Sequence, residues 1–431
     1  MTMKKQFLMI VCILLLALQG GCNTEGGKGE AGAGSRTEDE KEVTIKVLQN
    51  KVEIADVLKR MEVDYQKENP GVRLRFETFG GGVDYDRGLV AKFQSGDAPD
   101  VFINEGHAKL MPWLEKVEDL SDQPWTGDMI EGAGTPVTRN GRLYGMPGAV
   151  EGFGFAYNKS LFARAGIKVL PNTLKTLEEA CARLQEAGIQ PFSNSYAEWW
   201  VLGMHNFSIP LSHEAYPQRF IDGIASGKAK FQDGTAAGGW IRLLELTVKY
   251  GQKDPTATGD YASSVAAFAA GKAAMIQQGN WIQPNLDKVD PDLEVGFLPI
   301  PLGDVPETKV NAGIPNYWLI NRESRVKAEA KAWLNWMVSS ERGRRYIAED
   351  LKFIPAFKSI RPAKLSGLNA ALFEYISTGN TYGWEFPRLP PGATEIIGPE
   401  IMEYLSGRST APQLFEAIDR AIIEKSGNNY W

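Results

Sequence analysis

The stretch around which the chain is organised runs from Tyr144 to Ile167 and reads YGMPGAVEGFGFAYNKSLFARAGI. A Gly-Met-Pro-Gly segment near its start interrupts regular structure. Phe153, Phe155 and Tyr157 then alternate with small residues, which predicts a short buried strand. Asn158 stands at the N-cap position of a following helix, which a glycine ends. A strand, a turn and a helix in so few residues suit a crossing between two lobes; an ordinary strand–helix unit within one domain is the alternative.

The N-terminus predicts export. Lys4 and Lys5 precede the apolar run FLMIVCILLLAL, and a Gly-Gly pair stands before Cys22. This is the pattern of a signal peptide over residues 1–21, because the run is short for a membrane span. The Gly-Gly-Cys ending resembles the lipobox of bacterial lipoproteins, with Leu18 one position further back than usual. The resemblance implies that Cys22 is acylated, with palmitate, and anchors the chain; a chance cysteine in a cleaved leader is the alternative.

Cysteine content and charge narrow the class of protein. Cys12 leaves with the leader and Cys22 is the expected lipid site, so Cys181 has no partner for a disulfide. Stability must therefore come from core size, which about 400 residues can provide as two domains. The formal net charge of −6 becomes more negative when the leader lysines are removed, and the chain has no basic cluster. Nucleic acid is therefore not an expected partner.

The first part of the folded body reads as alternating strands and helices. Residues 22–42 are rich in Gly, Glu and Ala and predict a flexible tether. A strand from Val43, a helix from Ile54 to Lys67 and the strand VRLRFETF then follow one another. Strand, helix, strand is the start of a βαβ unit, so we predict an α/β fold with a mostly parallel sheet.

Glu105 is a candidate cleft residue. A helix around Tyr85 to Gln94 leads to the apolar strand Val101 to Ile103, which ends at Asn104 and Glu105. Ligands of open α/β sheets lie just past the carboxyl ends of the strands, so Glu105 is well placed to face a cleft. A solvated loop carboxylate is the alternative.

The sequence offers little material for metal or cofactor chemistry. It has three histidines, His107, His205 and His213, and it contains no HExxH, CxxC or GxSxG motif. Its glycine clusters lack the Lys-Ser/Thr of a P-loop and the spacing of a dinucleotide fingerprint. We therefore expect no metal, no cofactor and no phosphate chemistry.

Aromatic residues are unusually frequent in the predicted turns. They are Trp199, Trp200, Trp281, Tyr317, Trp318, Tyr382 and Trp384. Any one tryptophan is more often core than ligand contact, but an indole also covers the C–H face of a pyranose while nearby carboxylates and amides bond its hydroxyls. The turn after the predicted strand Ala274 to Gln277 is expected to expose Asn280 and Trp281. Alternation along NYWLIN places its Tyr and Trp on opposite faces, so one of the two is expected to reach a cleft.

Five segments together resemble a known family. They are FQSGDAPDVF (93–102), the opening stretch (144–167), GKAAMIQQGNWI (271–282), VGFLPIPLG (295–303) and KAWLNWMVSSERG (331–343). In this order they resemble the extracellular solute-binding lipoproteins of ABC importers, of the carbohydrate-binding type similar to maltose-binding protein. The resemblance implies a two-lobed α/β fold of the type II periplasmic-binding-protein class, with the ligand in a cleft between the lobes. It implies one lobe from residues 43–152 and 297–350 and another from 153–296 and 351–431.

The same resemblance assigns roles to residues. It implies that Asp100 is structural, that Trp281 stacks on a sugar ring and that Trp384 supplies another platform, whereas contact of Glu151 with ligand is left open. The expected ligand-binding set is Asp84, Glu105, Glu151, Trp199, Trp200, Asn280, Trp281, Tyr317, Trp318 and Trp384.

The predicted function is a lipid-anchored receptor that closes on an oligosaccharide and delivers it to an ABC permease. It is expected to be a monomer without catalytic activity, with hinges near residues 150, 300 and 350. One alternative is a secreted glycoside hydrolase or lyase using a carboxylate pair such as Asp84 and Glu105. Another is a receptor for a non-sugar solute.

Overall fold

A computed structural model describes residues 42–80, 83–252, 259–362 and 364–427. Cys22 and the predicted leader lie outside the described residues. The strands are β1 Val43–Gln49, β2 Val72–Thr78, β3 Val101–Asn104, β4 Thr138–Arg139, β5 Arg142–Leu143, β6 Met146–Pro147, β7 Ala149–Asn158, β8 Gln190–Phe192, β9 Ala273–Gly279, β10 Val295–Leu298, β11 Val310–Gly313, β12 Tyr317–Ile320, β13 Ile354–Pro355 and β14 Thr381–Tyr382.

The helices alternate with these strands. They are α1 Ala55–Glu68, α2 Tyr85–Gln94, α3 Lys159–Arg164, α4 Leu174–Glu186, α5 Phe207–Ser212, α6 Pro217–Ala225, α7 Ala237–Lys249, α8 Tyr261–Ala269, α9 Gln283–Val289, α10 Lys327–Ser339, α11 Glu341–Arg345, α12 Gly367–Ser377, α13 Thr394–Leu405 and α14 Ala411–Ser426. Two short segments, Val201–Asn206 and Tyr346–Asp350, are π-helices. Among the described residues, no helix is both long enough and apolar enough to cross a membrane.

The first sheet contains the predicted βαβ unit. Its strand order is β2-β1-β3-β12-β6, with β1 parallel to β2 and β3 and with β12 antiparallel to both of its neighbours. Helix α1 connects β1 to β2 and buries Leu58, Met61 and Tyr65, whose spacing places them on one helical face. Asp100 is structural, as predicted, because its Oδ2 accepts the Lys46 N–H at 2.8 Å and its Oδ1 accepts the Ser324 hydroxyl at 2.6 Å.

The opening stretch forms the centre of the second sheet. All ten residues of β7 are buried, and β9, β10, β11 and β13 all pair antiparallel to it. A Cβ added at Gly152 would lie 2.7 Å from the Asn311 carbonyl oxygen, so glycine allows β11 to approach. The predicted cap is confirmed, since the Asn158 side chain accepts the Leu161 N–H at 3.0 Å at the start of α3.

The chain passes from one sheet to the other within one residue of β7. Strand β6 belongs to the first sheet and β7 to the second, with only Gly148 between them. The return from β11 to β12 runs through residues 314–316, and the Gly148 N–H donates to the Asn316 carbonyl at 2.9 Å. The two connections are therefore bonded to each other, and the interpretation as a crossing between lobes is correct.

The protein thus has two lobes, each built on one sheet with helices packed against it. Helix α10 packs on β12 in the first lobe, and α12 packs on β10 in the second, so a third connection lies between α11 and α12. The predicted lobe boundaries stay a prediction, because strand pairing fixes where the chain changes sheets and not where a lobe ends.

Candidate functional site

A cavity lies between the two lobes and contains about 920 Å³ of space, part of it open to solvent. The first lobe supplies residues that follow the carboxyl ends of β1 and β3, among them Lys51, Glu53 and Glu105, and residues at the start of α2. This is the position at which open α/β sheets bind ligands. The second lobe supplies Glu151 from β7 and most of the aromatic residues. Both lobes are therefore needed to form the cavity.

The second lobe's side of the cavity is an aromatic wall. Trp281 lies 4.8 Å from His205 and 6.0 Å from Trp384 between ring centroids. The Trp281 indole N–H donates to Gln278 Oε1 at 2.9 Å, and the Trp384 indole N–H donates to the Glu151 carbonyl at 3.2 Å. These hydrogen bonds fix the two indoles in orientation, because an indole has one donor and each donor is used.

Glu198 positions two further aromatic residues of this wall. Its Oε2 accepts the Trp200 indole N–H at 3.1 Å, and its Oε1 accepts the backbone N–H of Tyr261 at 3.0 Å. The rings of Trp200 and Tyr261 lie 5.5 Å apart. Glu198 is itself buried, so its hydrogen bonds keep these rings in place beside the cavity.

Two polar contacts cross the cleft beside the aromatic wall. Lys51 of the first lobe pairs with Glu151 of the second at 2.7 Å, with side-chain exposures of 18% and 3%. The hydroxyl of Tyr261 donates to Glu53 Oε1. Burial raises the pKa of Glu53 above its ordinary value, and the charge of Lys51 opposes this. These contacts hold the lobes together around the cavity.

A third cross-cleft contact involves Lys109 and three carboxylates. Its Nζ lies 2.6 Å from Asp86, 3.1 Å from Glu395 of the second lobe and 3.9 Å from Glu105. Burial raises the pKa of Glu105 to about 8, against the effect of Lys109, and also raises that of Asp86. The pKa of Glu395 lies below its ordinary value. Burial alone would raise this pKa, but the charge of Lys109 and several hydrogen bonds together outweigh the effect of burial.

Most of the predicted ligand-binding residues lie in the cavity wall. They are Asp84, Glu105, Glu151, Trp199, Trp200, Trp281 and Trp384. Asp84 also caps α2, where its Oδ1 accepts the Arg87 N–H at 3.0 Å. Contact of these residues with a ligand stays a prediction.

The prediction that a turn exposes Asn280 and Trp281 is wrong, since they are only 4% and 9% exposed. A short 3₁₀-helix follows β9 and turns both side chains inward. Asn280 Oδ1 accepts the Gly152 N–H at 3.0 Å and its Nδ2 donates to Asn369 at 2.7 Å. Asn280 thus supports β7, whereas Trp281 still borders the cavity.

Tyr317 and Trp318 are not brought into this cavity. Both lie in β12 and are 1% and 8% exposed. Trp318 packs edge-on against Trp333 of α10 at 5.7 Å. Because both faces of the first sheet are covered, alternation places both residues in packing positions and neither at the cavity. Tyr382 also lies outside the wall and donates to Glu307 at 3.1 Å.

Among the wall residues that sequence reasoning missed are Lys51, Glu53, His205 and Tyr261. The first two follow β1, so the rule that selected Glu105 after β3 would have found them. His205 and Tyr261 stand in helices, and no motif or spacing distinguishes them.

Comparisons with known proteins agree with this architecture. The sequence profile of a family described as bacterial extracellular solute-binding protein matches residues 61–372. The multiple sugar-binding protein of Streptococcus mutans is 26% identical over 394 residues, covering 88% of this chain and 89% of that protein. The melibiose/raffinose/stachyose-binding protein MelE of Bacillus subtilis is 23% identical over 78% of this chain and 77% of its own length.

Solved structures share the fold. A chitin oligosaccharide binding protein superimposes with a TM-score of 0.77 at 22% identity, over 90% of this chain and all of that one (100%). The binding protein RafE in complex with raffinose gives a TM-score of 0.76 at 21% identity, over 89% of this chain and 100% of that chain. The family profile covers most of the folded body and both lobes. The chain belongs to the bacterial extracellular solute-binding protein family.

Proposed function

We propose that this protein captures a carbohydrate between its lobes and delivers it to an ABC permease. The observation that carries the proposal is the cavity, in which an aromatic wall of one lobe faces carboxylates of the other. Indole faces cover the apolar faces of sugar rings, and carboxylates accept hydrogen bonds from hydroxyls. The relatives named above for binding multiple sugars, raffinose or chitin oligosaccharides support the same class of ligand. An oligosaccharide bound by a monomer is the form we favour.

Capture requires the lobes to close on the ligand. Two of the three connections between the lobes are short, and these two are bonded to each other through Gly148 and Asn316. They suit a hinge of the kind that binding proteins use. A ligand favours the closed form only through contacts that it makes there and not in the open form. The walls from both lobes provide such contacts.

A thermal-shift screen tests the proposal. The mature chain carrying Cys22→Ala would be melted with raffinose, stachyose, maltotriose, a chitin trisaccharide and monosaccharides. A ligand present at about 100 times its dissociation constant adds roughly 2.7 kcal/mol to the stability of the folded state. We expect at least one oligosaccharide to raise the melting temperature clearly. No shift with any sugar, together with a shift for a non-sugar solute, would overturn the proposal.

We propose that the protein does not alter its ligand. Asp84 is already used as the cap of α2, and Lys109 lies near Glu105, so both members of the hydrolase pair have structural contacts. The sugar found by the screen should be recovered unchanged after long incubation. Cleavage products that disappear in Glu105→Gln would instead establish a glycoside hydrolase or lyase.

We also propose that Cys22 is acylated and holds the protein on the outer face of the cell membrane. The Gly-Gly-Cys ending of the leader and the composition of residues 22–42 support this proposal. The protein should sediment with membranes, and Cys22→Ala should move it to the soluble fraction. A Cys22→Ala protein that stays membrane-bound with its leader uncut would show that the leader itself is the anchor.

A further inference from the structure

His205 is the polar ring within the aromatic wall. Its side chain is 8% exposed and borders the cavity. It stacks on Phe153 at 5.2 Å, and Trp200, Trp281, Trp384 and Phe386 surround it at centroid distances of 5.3, 4.8, 5.4 and 6.0 Å. In the described part of the chain, its buried Nδ1 has no hydrogen-bond partner. A buried polar atom without a partner is costly, so one left beside a binding cavity requires an explanation.

The next residue shows that this segment can satisfy its polar groups. Asn206 Nδ2 donates to Gln277 Oε1 at 2.9 Å, and Asn206 Oδ1 accepts the Trp240 indole N–H at 2.6 Å. Both residues belong to the π-helix Val201–Asn206. π-helical turns are rare in proteins, and many of those that do occur lie at functional sites. In this π-helix, the Asn206 amide therefore has hydrogen bonds from both of its polar atoms, whereas the His205 imidazole, beside the cavity, has a nitrogen without one.

The environment also fixes the charge of the imidazole. Burial, assisted by the charge of Lys51, lowers the pKa of His205 to about 3. The ring is therefore neutral at physiological pH, with one nitrogen as donor and the other as acceptor. A hydroxyl group both donates and accepts, so it matches a neutral imidazole better than an ionic group does.

We propose that His205 is a ligand-binding residue that forms a hydrogen bond with a hydroxyl of the carbohydrate held against the aromatic wall. This inference rests on the proposed function. It assigns to one residue the task of selecting a hydroxyl at a position where the other rings contribute apolar faces. The imidazole should favour sugars that carry a hydroxyl there over deoxy analogues, because the analogue leaves the buried nitrogen unpaired.

Two substitutions separate hydrogen bonding from packing. His205→Phe keeps an aromatic ring of similar size and removes both nitrogens, whereas His205→Gln keeps a donor and an acceptor and removes the ring. Affinity for the oligosaccharide that binds the wild type best in the screen would be measured by calorimetry at a temperature where every variant is folded. We expect His205→Phe to weaken binding tenfold or more, equivalent to about 1.4 kcal/mol, and His205→Gln to restore part of the loss.

His213→Phe is the matched control. His213 bonds to the Ile209 carbonyl and to Glu307 at 2.8 Å and lies outside the cavity wall, so its replacement should leave affinity unchanged. Wild-type affinity in His205→Phe, or an equal loss in the Phe and Gln variants, would overturn the inference and leave the sugar-binding function intact. Absence of sugar binding by the wild type would instead remove the proposed function.

Discussion

Lys109 is the centre of a cluster of charged side chains in the cleft. The ammonium group faces Asp86, Glu105 and Glu395, and the nearest oxygen of Glu105 is the most distant of the three at 3.9 Å. One of its oxygens, Oε2, is buried without a hydrogen-bond partner in the described structure. Glu105 thus has the weakest compensation for its burial, which is the physical reason that its pKa is raised.

Glu105→Gln should therefore change stability in a pH-dependent way. The pKa of Glu105 is raised from 4.5 to about 8 in the folded protein. Between these values the folded state holds a proton that the unfolded chain has lost, so the contribution of Glu105 to stability falls as pH rises. Glutamine cannot ionise. We expect the variant to match the wild type near pH 5 and to exceed it by about 1–3 kcal/mol at pH 8.5, one pKa unit being 1.36 kcal/mol.

Denaturant unfolding at the two pH values measures this difference. Asp86, Lys109 and Glu395 remain in both proteins, so the two proteins differ only at residue 105. Glu115→Gln is the control, since Glu115 is exposed and its replacement should have little effect at either pH. An equal stability gap at pH 5 and pH 8.5 would contradict the assigned pKa.

Trp281 and Trp318 have almost the same exposure and should respond differently to truncation. Trp281→Ala should reduce sugar affinity by about 1–3 kcal/mol, taking stacking of a base on an aromatic ring as the analogue. Trp318→Ala should reduce stability by about 3–5 kcal/mol and leave affinity unchanged, because Trp318 packs against Trp333 away from the cavity. Calorimetry on folded protein and denaturant unfolding distinguish the two. Unchanged affinity in Trp281→Ala would assign that ring to packing alone.

At the scale of elements, the π-helix and α13 approach each other closely because Gly203 has no side chain. A Cβ added at Gly203 would clash with the Thr394 carbonyl oxygen and would lie 2.9 Å from the backbone nitrogen of Gly398. The backbones of the two helices therefore touch directly. This contact connects His205, on the π-helix, with Glu395, on α13, and so joins the aromatic wall to the Lys109 cluster.

Gly203→Ala should lower the free energy of unfolding by about 1–3 kcal/mol, the usual effect of overpacking. Gly238→Ala is the matched control: Gly238 also lies in a helix, is exposed and has no atom within 4 Å of an added Cβ. There alanine should raise stability by about 0.5–1 kcal/mol, because glycine is the poorer helix former. Denaturant unfolding of both variants measures whether each change lowers or raises the free energy of unfolding. Equal stabilisation by both would show that the helices can separate without cost.

Elements with a clear period could be predicted from the sequence, and those set by tertiary contact could not. The apolar spacing along α1 and the alternation of β1 gave nearly the observed bounds. No period of the sequence marks the π-helix, in which Gly203 lies against the backbone of α13, a contact between segments far apart in the sequence. Likewise, Glu53 and Tyr261 are 208 positions apart, and only the packing of the two lobes makes them neighbours.

At the scale of the whole molecule, the lobes are joined across the cavity by a few polar contacts. Lys51 with Glu151, Tyr261 with Glu53, and Lys109 with Glu395 each have one member on either side. All six residues also border the cavity. The side chains that would surround a ligand are therefore the same side chains that make polar contacts between the lobes.

Tyr261→Phe should shift the ligand-free protein toward a more open form. It removes the donor to Glu53 and leaves a buried carboxylate without that hydrogen bond. We expect a larger radius of gyration by small-angle X-ray scattering and a several-fold weaker sugar affinity, since the ligand must then offset the cost of closure.

Tyr404→Phe is the control for this prediction. It removes a similar hydrogen bond, from the Tyr404 hydroxyl to Glu245 at 2.8 Å, that lies within the second lobe. Its radius of gyration and affinity should equal those of the wild type. If Tyr261→Phe also had the radius of gyration and sugar affinity of the wild type, the cross-cleft hydrogen bond would have no influence on closure.

The hydrogen bond between Gly148 and Asn316 joins two of the connections between the lobes. Gly148 is the single residue between β6 and β7, which belong to different lobes, so we expect a small torsional change there to rotate one sheet relative to the other. Its partner Asn316 also stands in the cavity wall, beside Pro315. We therefore expect a ligand that contacts Asn316 to act directly on two of the connections between the lobes.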